Sequence, residues 1–118
     1  LYVTIHGGEV NVGVATSLNN MAGIHLKQAD YPRALDHYER CLAIDRQVHG
    51  GDMNPDVAGT IGNIGVVYRS MGDYDRAIEH CQRAVDIQMK ITGAKSTVVA
   101  TGLQGVANAL QAQGKYDE

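Results

Sequence analysis

Apolar residues along the chain recur at the spacing of helix turns. Positions i, i+3, i+4 and i+7 are apolar or aromatic three times, a pattern typical of the buried face of an amphipathic helix. The three stripes are Leu18, Met21, Ala22, His25; Ile61, Ile64, Gly65, Tyr68; and Leu103, Val106, Ala107, Leu110. Two longer stripes lie between them, from Ala34 to Val48 and from Ala77 to Ile91. The pattern predicts five helices, near residues 12–28, 32–48, 55–71, 75–91 and 97–113.

These stripes belong to an internal repeat. Residues 14–50 and residues 57–93, related by a shift of 43, are identical at 11 of 37 positions, whereas chance at average composition gives about two. A further half copy begins at Val99, and residues before 11 resemble the end of a copy. We predict the tail of a preceding repeat at 1–10, repeat one at 11–53, repeat two at 54–95 and the first helix of repeat three at 96–118. The chain is therefore interpreted as an excerpt of a longer polypeptide.

Residues that end and begin helices lie between the stripes. Gly72 and Gly114 are placed to close the first helices in the left-handed conformation. Ala29 stands at the equivalent position of the first repeat, so we expect a less sharply capped turn there. Asp73, and Asn54 with the proline that follows it, are predicted to cap the next helices at their N-termini.

The helix pairs resemble the tetratricopeptide repeat. The signature positions of that family correspond to Leu18, Met21, Ala22, His25, Ala34, Tyr38 in the first copy and to Ile61, Ile64, Gly65, Tyr68, Ala77, Cys81 in the second. The family has a bulky aromatic residue where Cys81 stands, so we expect an underfilled packing site at that position. The period of 42 to 43 exceeds the usual length of about 34 and is similar to that of kinesin light chain repeats.

The resemblance implies a fold and a function. The fold is all-α, a right-handed α-solenoid of antiparallel helix pairs, and the function is that of a protein interaction scaffold or adaptor without enzymatic activity. The first helices of such arrays line a concave groove that holds a peptide or partner segment. The residues that the resemblance places in the groove are Asn19, Asn20, Lys27, Asn63, Val66, Arg69, Gln104 and Asn108.

The chemistry of these residues suits peptide binding. Carboxamides can hydrogen-bond the backbone of an extended peptide, and the two cations can meet acidic side chains. The alternative is that all eight are solvated helix residues. Two other functions stay open, a regulatory or docking segment of a larger enzyme or signalling protein and a structural oligomerisation spacer. We also expect self-association through the open repeat ends, because each repeat buries its apolar face against a neighbour.

Composition narrows the class of protein. The 118 residues include 44% hydrophobic and 19% charged residues, with a net charge of -3, which excludes a disordered tail and a general nucleic-acid binder. No apolar run approaches the roughly 18 residues of a membrane span, so we expect no membrane partner. Two cysteines are too few for the disulfide framework of a small secreted domain, and a cytoplasmic location is expected.

Two patterns suggest other chemistry and are better explained by the repeat. His37 and Cys41 have the i, i+4 spacing of a metal-binding pair, but both occupy ordinary repeat positions. Gly59, Gly62 and Gly65 resemble a phosphate-binding loop but lie inside a predicted helix, without the preceding strand and the lysine that such a loop needs. We therefore expect no metal, no cofactor and no active site.

Glycine is frequent for a helical chain, at 14 residues. Several glycines mark the ends of helices, but Gly59, Gly62 and Gly105 lie in predicted helix interiors. Each destabilises a helix by about 1 kcal/mol relative to alanine. The third and fifth helices are therefore predicted to be the least stable parts of the array.

Overall fold

The structure of the chain is a computed structural model, and it describes residues 2–5, 8–93 and 97–117. Its elements are β1 (Tyr2–Ile5), β2 (Gly8–Asn11), α1 (Val12–Lys27), α2 (Tyr31–His49), α3 (Pro55–Met71), α4 (Tyr74–Thr92) and α5 (Thr97–Asp117). The all-α fold class and the five helices are confirmed, while the handedness of the repeat array stays a prediction. The chain divides into two compact units, Leu1–Asp52 and Met53–Glu118.

The first unit begins with two strands. β1 pairs antiparallel with β2, Tyr2 opposite Asn11 and Ile5 opposite Gly8, and β2 contacts both α1 and α2. A helix end is what a preceding repeat would supply at this place, so the strands depart from the expectation for residues 1–10. The reason lies in local composition, because aromatic and β-branched residues make up β1 and favour extended backbone. The repeat boundaries themselves stay predictions, and residues 94–96, where repeat two meets repeat three, lie outside the described residues.

The turn between α1 and α2 is as tightly closed as the equivalent turn in the second unit. Ala29 adopts the left-handed conformation, with φ of 60°, and the Asp30 amide donates a hydrogen bond to the His25 carbonyl at 2.8 Å. The expectation of a less sharp cap is therefore wrong. Alanine reaches the geometry that glycine favours, at a cost of roughly 1–2 kcal/mol in local strain.

Burial in the first unit is concentrated on small residues. The buried hydrophobic residues with described side chains are Ala15, Ala22, Ala34, Tyr38 and Cys41. In the predicted stripe of α1, Ala22 is buried and Leu18 is half-buried, but Met21 is 45% exposed. This stripe is therefore only partly covered.

Helix ends in the second unit follow the sequence predictions, with one exception. Asn54 accepts a hydrogen bond from the Asp56 amide at 2.7 Å, and Asp73 accepts one from the Arg76 amide at 3.3 Å. Gly72 closes α3 in the left-handed conformation, with φ of 85°. Gly114 does not close α5, which continues to Asp117, because glycine adopts the right-handed helical conformation as readily as the left-handed one.

The core of the second unit lies between α3 and α4, and α4 also contacts α5. The stripe of α3 is confirmed, since Ile61, Ile64 and Gly65 are all buried. A Cβ atom added to Gly65 would lie 2.7 Å from the Cys81 sulfur, so only glycine fits there. The site of Cys81 is consequently well filled at this contact, which corrects the expectation of an underfilled position.

The predicted stripe of α5 is confirmed only at Val106, which packs with Val85 and Val99 in the core of this unit. Its other three members are exposed: Leu103, Ala107 and Leu110. The buried face of α5 is rotated toward α4 and includes Ala109, which is fully buried. Among the described residues, no second helix covers the face that Leu103 and Leu110 share.

Candidate functional site

The first unit holds three of the eight predicted groove residues, all on α1. Asn20 and Lys27 are exposed, and Asn19 is half-buried. Asn20 offers a carboxamide that a peptide backbone could reach, whereas part of the surface of Asn19 is already covered. Lys27 is the last residue of α1, where a cation is favourable to the helix dipole.

The second unit holds the other five, and it brings two of them into contact. The Gln104 amide nitrogen donates a hydrogen bond to the Asn108 side-chain oxygen at 2.9 Å, on the exposed face of α5. Asn63, Val66 and Arg69 are all half-buried on α3, at a spacing of three that keeps them on neighbouring turns of one face. The assignment of the eight residues to a binding groove stays a prediction.

Arg69 also influences the core. Burial raises the pKa of the Cys81 thiol, and the Arg69 guanidinium partly opposes this increase. Burial likewise raises the pKa of the Tyr38 phenol, with a further contribution from the Cys41 thiol. Tyr38 and Cys81 occupy equivalent positions of the two repeats, so each helix pair has a titratable group that burial keeps neutral.

Aromatic rings pair at the same repeat positions in both units. The rings of His25 and His37 lie 5.0 Å apart, and those of Tyr68 and His80 lie 5.2 Å apart. In both pairs one ring comes from the first helix and one from the second, so the contact ties the hairpin together. The shift of 43 residues between the copies makes these positions equivalent, but it does not predict the ring contact.

The candidate metal pair has ordinary structural partners. The His37 ring nitrogen Nδ1 lies 2.8 Å from the Arg33 carbonyl oxygen. The single proton of the Cys41 thiol has two acceptors within hydrogen-bond distance, the Ala15 carbonyl at 3.4 Å and the buried Asp45 carboxylate at 3.6 Å. Within the described part of the chain, no three histidine, cysteine or acidic side chains converge on one point.

The second unit contains an apolar pocket of about 290 Å³ that sequence analysis missed. Its lining residues are Ala58, Gly59 and Gly62 of α3, Ala84, Val85 and Gln88 of α4, and Gly102 of α5. The sequence offered one sign of this pocket, because Gly59 and Gly62 lie inside a helix and the repeat pattern does not explain them. Gly102 has a different role, because a Cβ added there would lie 2.6 Å from the Val85 Cγ2 atom. This glycine allows α5 to approach α4 closely.

Comparison with known proteins identifies the family. A model of the tetratricopeptide repeat family matches residues 13–53 and 56–118. The matched residues are most of the chain, and the chain belongs to the tetratricopeptide repeat family. A search of curated protein sequences finds no significant match. None of the described helices combines the length and hydropathy needed to cross a membrane.

Proposed function

We propose that the chain binds a peptide or partner segment of another protein along its first helices. Tetratricopeptide repeats are generally non-catalytic protein interaction modules, and this proposal assigns the binding role to α1, α3 and α5. The observation that carries it is the position of the eight predicted residues. All lie on these three helices and none is buried, although the same helices bury Ala15, Ile61 and Val106 on their other faces.

The chemistry of the exposed positions supports a peptide ligand. Asn20, Gln104 and Asn108 carry exposed carboxamides, which donate and accept hydrogen bonds and therefore match the backbone of an extended peptide. The period of 42 to 43 residues supports a kinesin light chain type of repeat as a finer proposal. A cytoplasmic location and a partner that is neither nucleic acid nor membrane belong to the same proposal.

The test is a selection of peptides from a random library displayed on phage. We expect enrichment of a peptide family that binds the chain and loses affinity about tenfold or more with Asn20→Ala combined with Asn63→Ala. The matched control is Arg40→Ala combined with Arg83→Ala, since these exposed residues occupy equivalent positions on the second helices. Failure to enrich any peptide, or equal affinity for the asparagine variant and the wild type, would contradict the proposed function.

One observation favours oligomerisation as a second candidate function. Leu103 and Leu110 are 48% and 51% exposed on one face of α5, and a second copy of the chain could cover them. This candidate predicts dimers in sedimentation velocity that dissociate in the Leu103→Gln, Leu110→Gln variant. A monomer at all concentrations would exclude it.

A further inference from the structure

The pocket in the second unit exists because two helix positions lack side chains. A Cβ atom added to Gly59 would meet nothing within 4 Å, and one added to Gly62 would lie 3.7 Å from the Ala84 Cβ, an ordinary contact. Neither glycine has the positive φ that demands glycine. Packing and backbone geometry would therefore both accept alanine at these positions, and alanine would favour the helix. What the two glycines provide is the open space.

A buried polar group lines this space. Gln88 is only 7% exposed and contributes to the pocket wall. Its backbone carbonyl accepts a hydrogen bond from the Thr92 hydroxyl at 2.8 Å, and its carboxamide is the one polar side chain among the residues that line the pocket. A carboxamide both donates and accepts hydrogen bonds, so it suits a ligand that enters the pocket with a polar group beside its apolar part.

The first unit shows how the same positions look when they are filled. Thr16, Asn19 and Cys41 stand where the second repeat has Gly59, Gly62 and Ala84. Asp45, the equivalent of Gln88, accepts a hydrogen bond from the Cys41 thiol. The second repeat therefore has smaller residues at these three positions. One of them, Ala84, replaces the thiol that hydrogen-bonds Asp45 in the first repeat.

The stretches of α3 and α5 that flank the pocket carry no charged residue. α3 has no charged residue from Val57 to Tyr68, and α5 has none from Thr97 to Gly114. An acidic or basic peptide would find no opposite charge along these stretches. The α3 and α5 sides of the pocket favour an uncharged segment instead.

We propose that the pocket holds one aliphatic side chain of an uncharged partner segment, whose backbone hydrogen-bonds the Gln88 carboxamide. This inference rests on the proposed function and specifies the partner chemistry in the second unit. The volume of about 290 Å³ suits the size of the occupant, because an apolar cavity of about 150 Å³ already holds a benzene molecule. Leucine, isoleucine and methionine are the side chains that fit this description.

The experiment fills the pocket with the residues of the first repeat. The library selection is performed on the wild-type 118-residue chain, and affinities of the enriched peptides are measured by fluorescence polarisation. We expect the peptides to share one aliphatic position with uncharged neighbours, and to bind about tenfold or more weakly to the Gly59→Thr, Gly62→Asn variant. Replacing the shared aliphatic residue by alanine should weaken binding to the wild type by a similar factor and hardly affect binding to the variant.

Two further variants distinguish the filling of the pocket from a loss of folding. Gly62→Ala adds a single methyl group to the pocket wall, and Gly105→Ala adds one to α5 at a distance of 3.9 Å from the Cys81 sulfur, away from the lining residues. Both should raise the thermal unfolding temperature, because both replace glycine inside a helix. Only Gly62→Ala should weaken peptide binding, by about twofold to fivefold.

The failures of the two proposals are distinct. If no peptide is enriched, the proposed function fails and the pocket inference fails with it. If peptides are enriched and depend on Asn20 and Asn63, but bind the pocket-filled variant as well as the wild type, only the pocket inference is overturned. Enriched peptides with a charged residue in place of the shared aliphatic one would overturn it as well.

Discussion

The two helix hairpins, α1 with α2 and α3 with α4, share a framework and differ in how they fill it. Both have an aspartate after a left-handed turn, at Asp30 and Asp73, and both pair an aromatic ring with a histidine across the hairpin. The first hairpin places Cys41 against a carboxylate where the second leaves a pocket beside Ala84. Positions that are conserved between the two copies therefore include residues that hold the two helices of a hairpin together. Positions that differ between the copies are those where a surface or a cavity differs.

The hairpins also differ in the burial of their first helices. Ile61 is 2% exposed in α3, whereas the equivalent Leu18 in α1 is only half-buried. Small residues dominate the described core of the first unit, and branched aliphatic residues dominate that of the second. Although α3 contains more glycine than α1, its apolar burial is greater. The prediction that α3 is a soft part of the array considered helix propensity alone, and this burial opposes it.

Truncation of the equivalent stripe residues should show this difference most strongly. Ile61→Ala should lower the free energy of unfolding by about 3 kcal/mol, because it opens a cavity in a closed core. Leu18→Ala should lower it by about 1 kcal/mol, because a half-buried side chain loses less burial. Urea unfolding followed by circular dichroism measures both.

Leu103→Ala provides the matched control for these truncations. It removes an exposed leucine of α5 and should change the free energy of unfolding by less than about 0.5 kcal/mol. Equal losses from Leu18→Ala and Ile61→Ala would show that the two first helices are buried to the same extent, contrary to the structure.

Exchange of the turn residues should have a smaller effect, with opposite signs in the two hairpins. Ala29 and Gly72 both have positive φ and are both exposed. Ala29→Gly should stabilise the chain by about 1 kcal/mol, since it releases left-handed strain, and Gly72→Ala should destabilise it by about the same amount. Thermal unfolding of the two single variants and the double variant tests this expectation.

Gly114→Ala separates turn strain from helix propensity. Gly114 is exposed and lies inside α5, so alanine there should stabilise the helix by up to about 1 kcal/mol. Destabilisation by Gly72→Ala together with stabilisation by Gly114→Ala would confirm the two different conformations. The same sign for both variants would contradict them.

Alkaline pH should produce the smallest difference between the hairpins. The raised pKa values of Cys81 and Tyr38 mean that the unfolded chain ionises first and that the folded chain holds more protons. Stability is then fully present below the ordinary pKa values, about 8.5 for cysteine and about 10 for tyrosine, and decreases as pH rises through the folded values. Urea unfolding from neutral to alkaline pH should show a decrease that begins near the lower value.

Two single variants test whether Cys81 and Tyr38 cause the two parts of this decrease in stability. Cys81→Ala should remove the part that begins near the cysteine value, and Tyr38→Phe should remove the part that begins near the tyrosine value. If the free energy of unfolding of both variants depended on pH as it does in the wild type, other groups would cause the decrease.

Sequence alone was sufficient wherever local chemistry decides the structure. Helix bounds and the caps at Asn54 and Asp73 follow from apolar spacing and short-range hydrogen bonds, so they could be predicted. The buried face of α5 could not, because burial depends on which neighbouring helix covers each face. Leu103 and Leu110 fit the repeat pattern as core residues, yet no described helix covers them.

The candidate site divides in the same way. The helices that carry Asn20 and Asn108 were predicted correctly, because the repeat alignment assigns each residue to a helix. The pocket was missed because three helices form it, and its size depends on the side chains that α4 and α5 present to α3. Gly59 and Gly62 drew attention as unfavourable helix residues, but their effect on a cavity requires the tertiary structure.

The close approach of α5 to α4 at Gly102 has a consequence for the order in which this sequence can change. Any side chain at Gly102 would collide with the Val85 methyl group, since even a Cβ would lie 2.6 Å away. A smaller residue must therefore replace Val85 before Gly102 can accept a side chain, and the reverse order passes through an overpacked intermediate. The two positions lie on different helices, so α4 and α5 are not free to diverge independently.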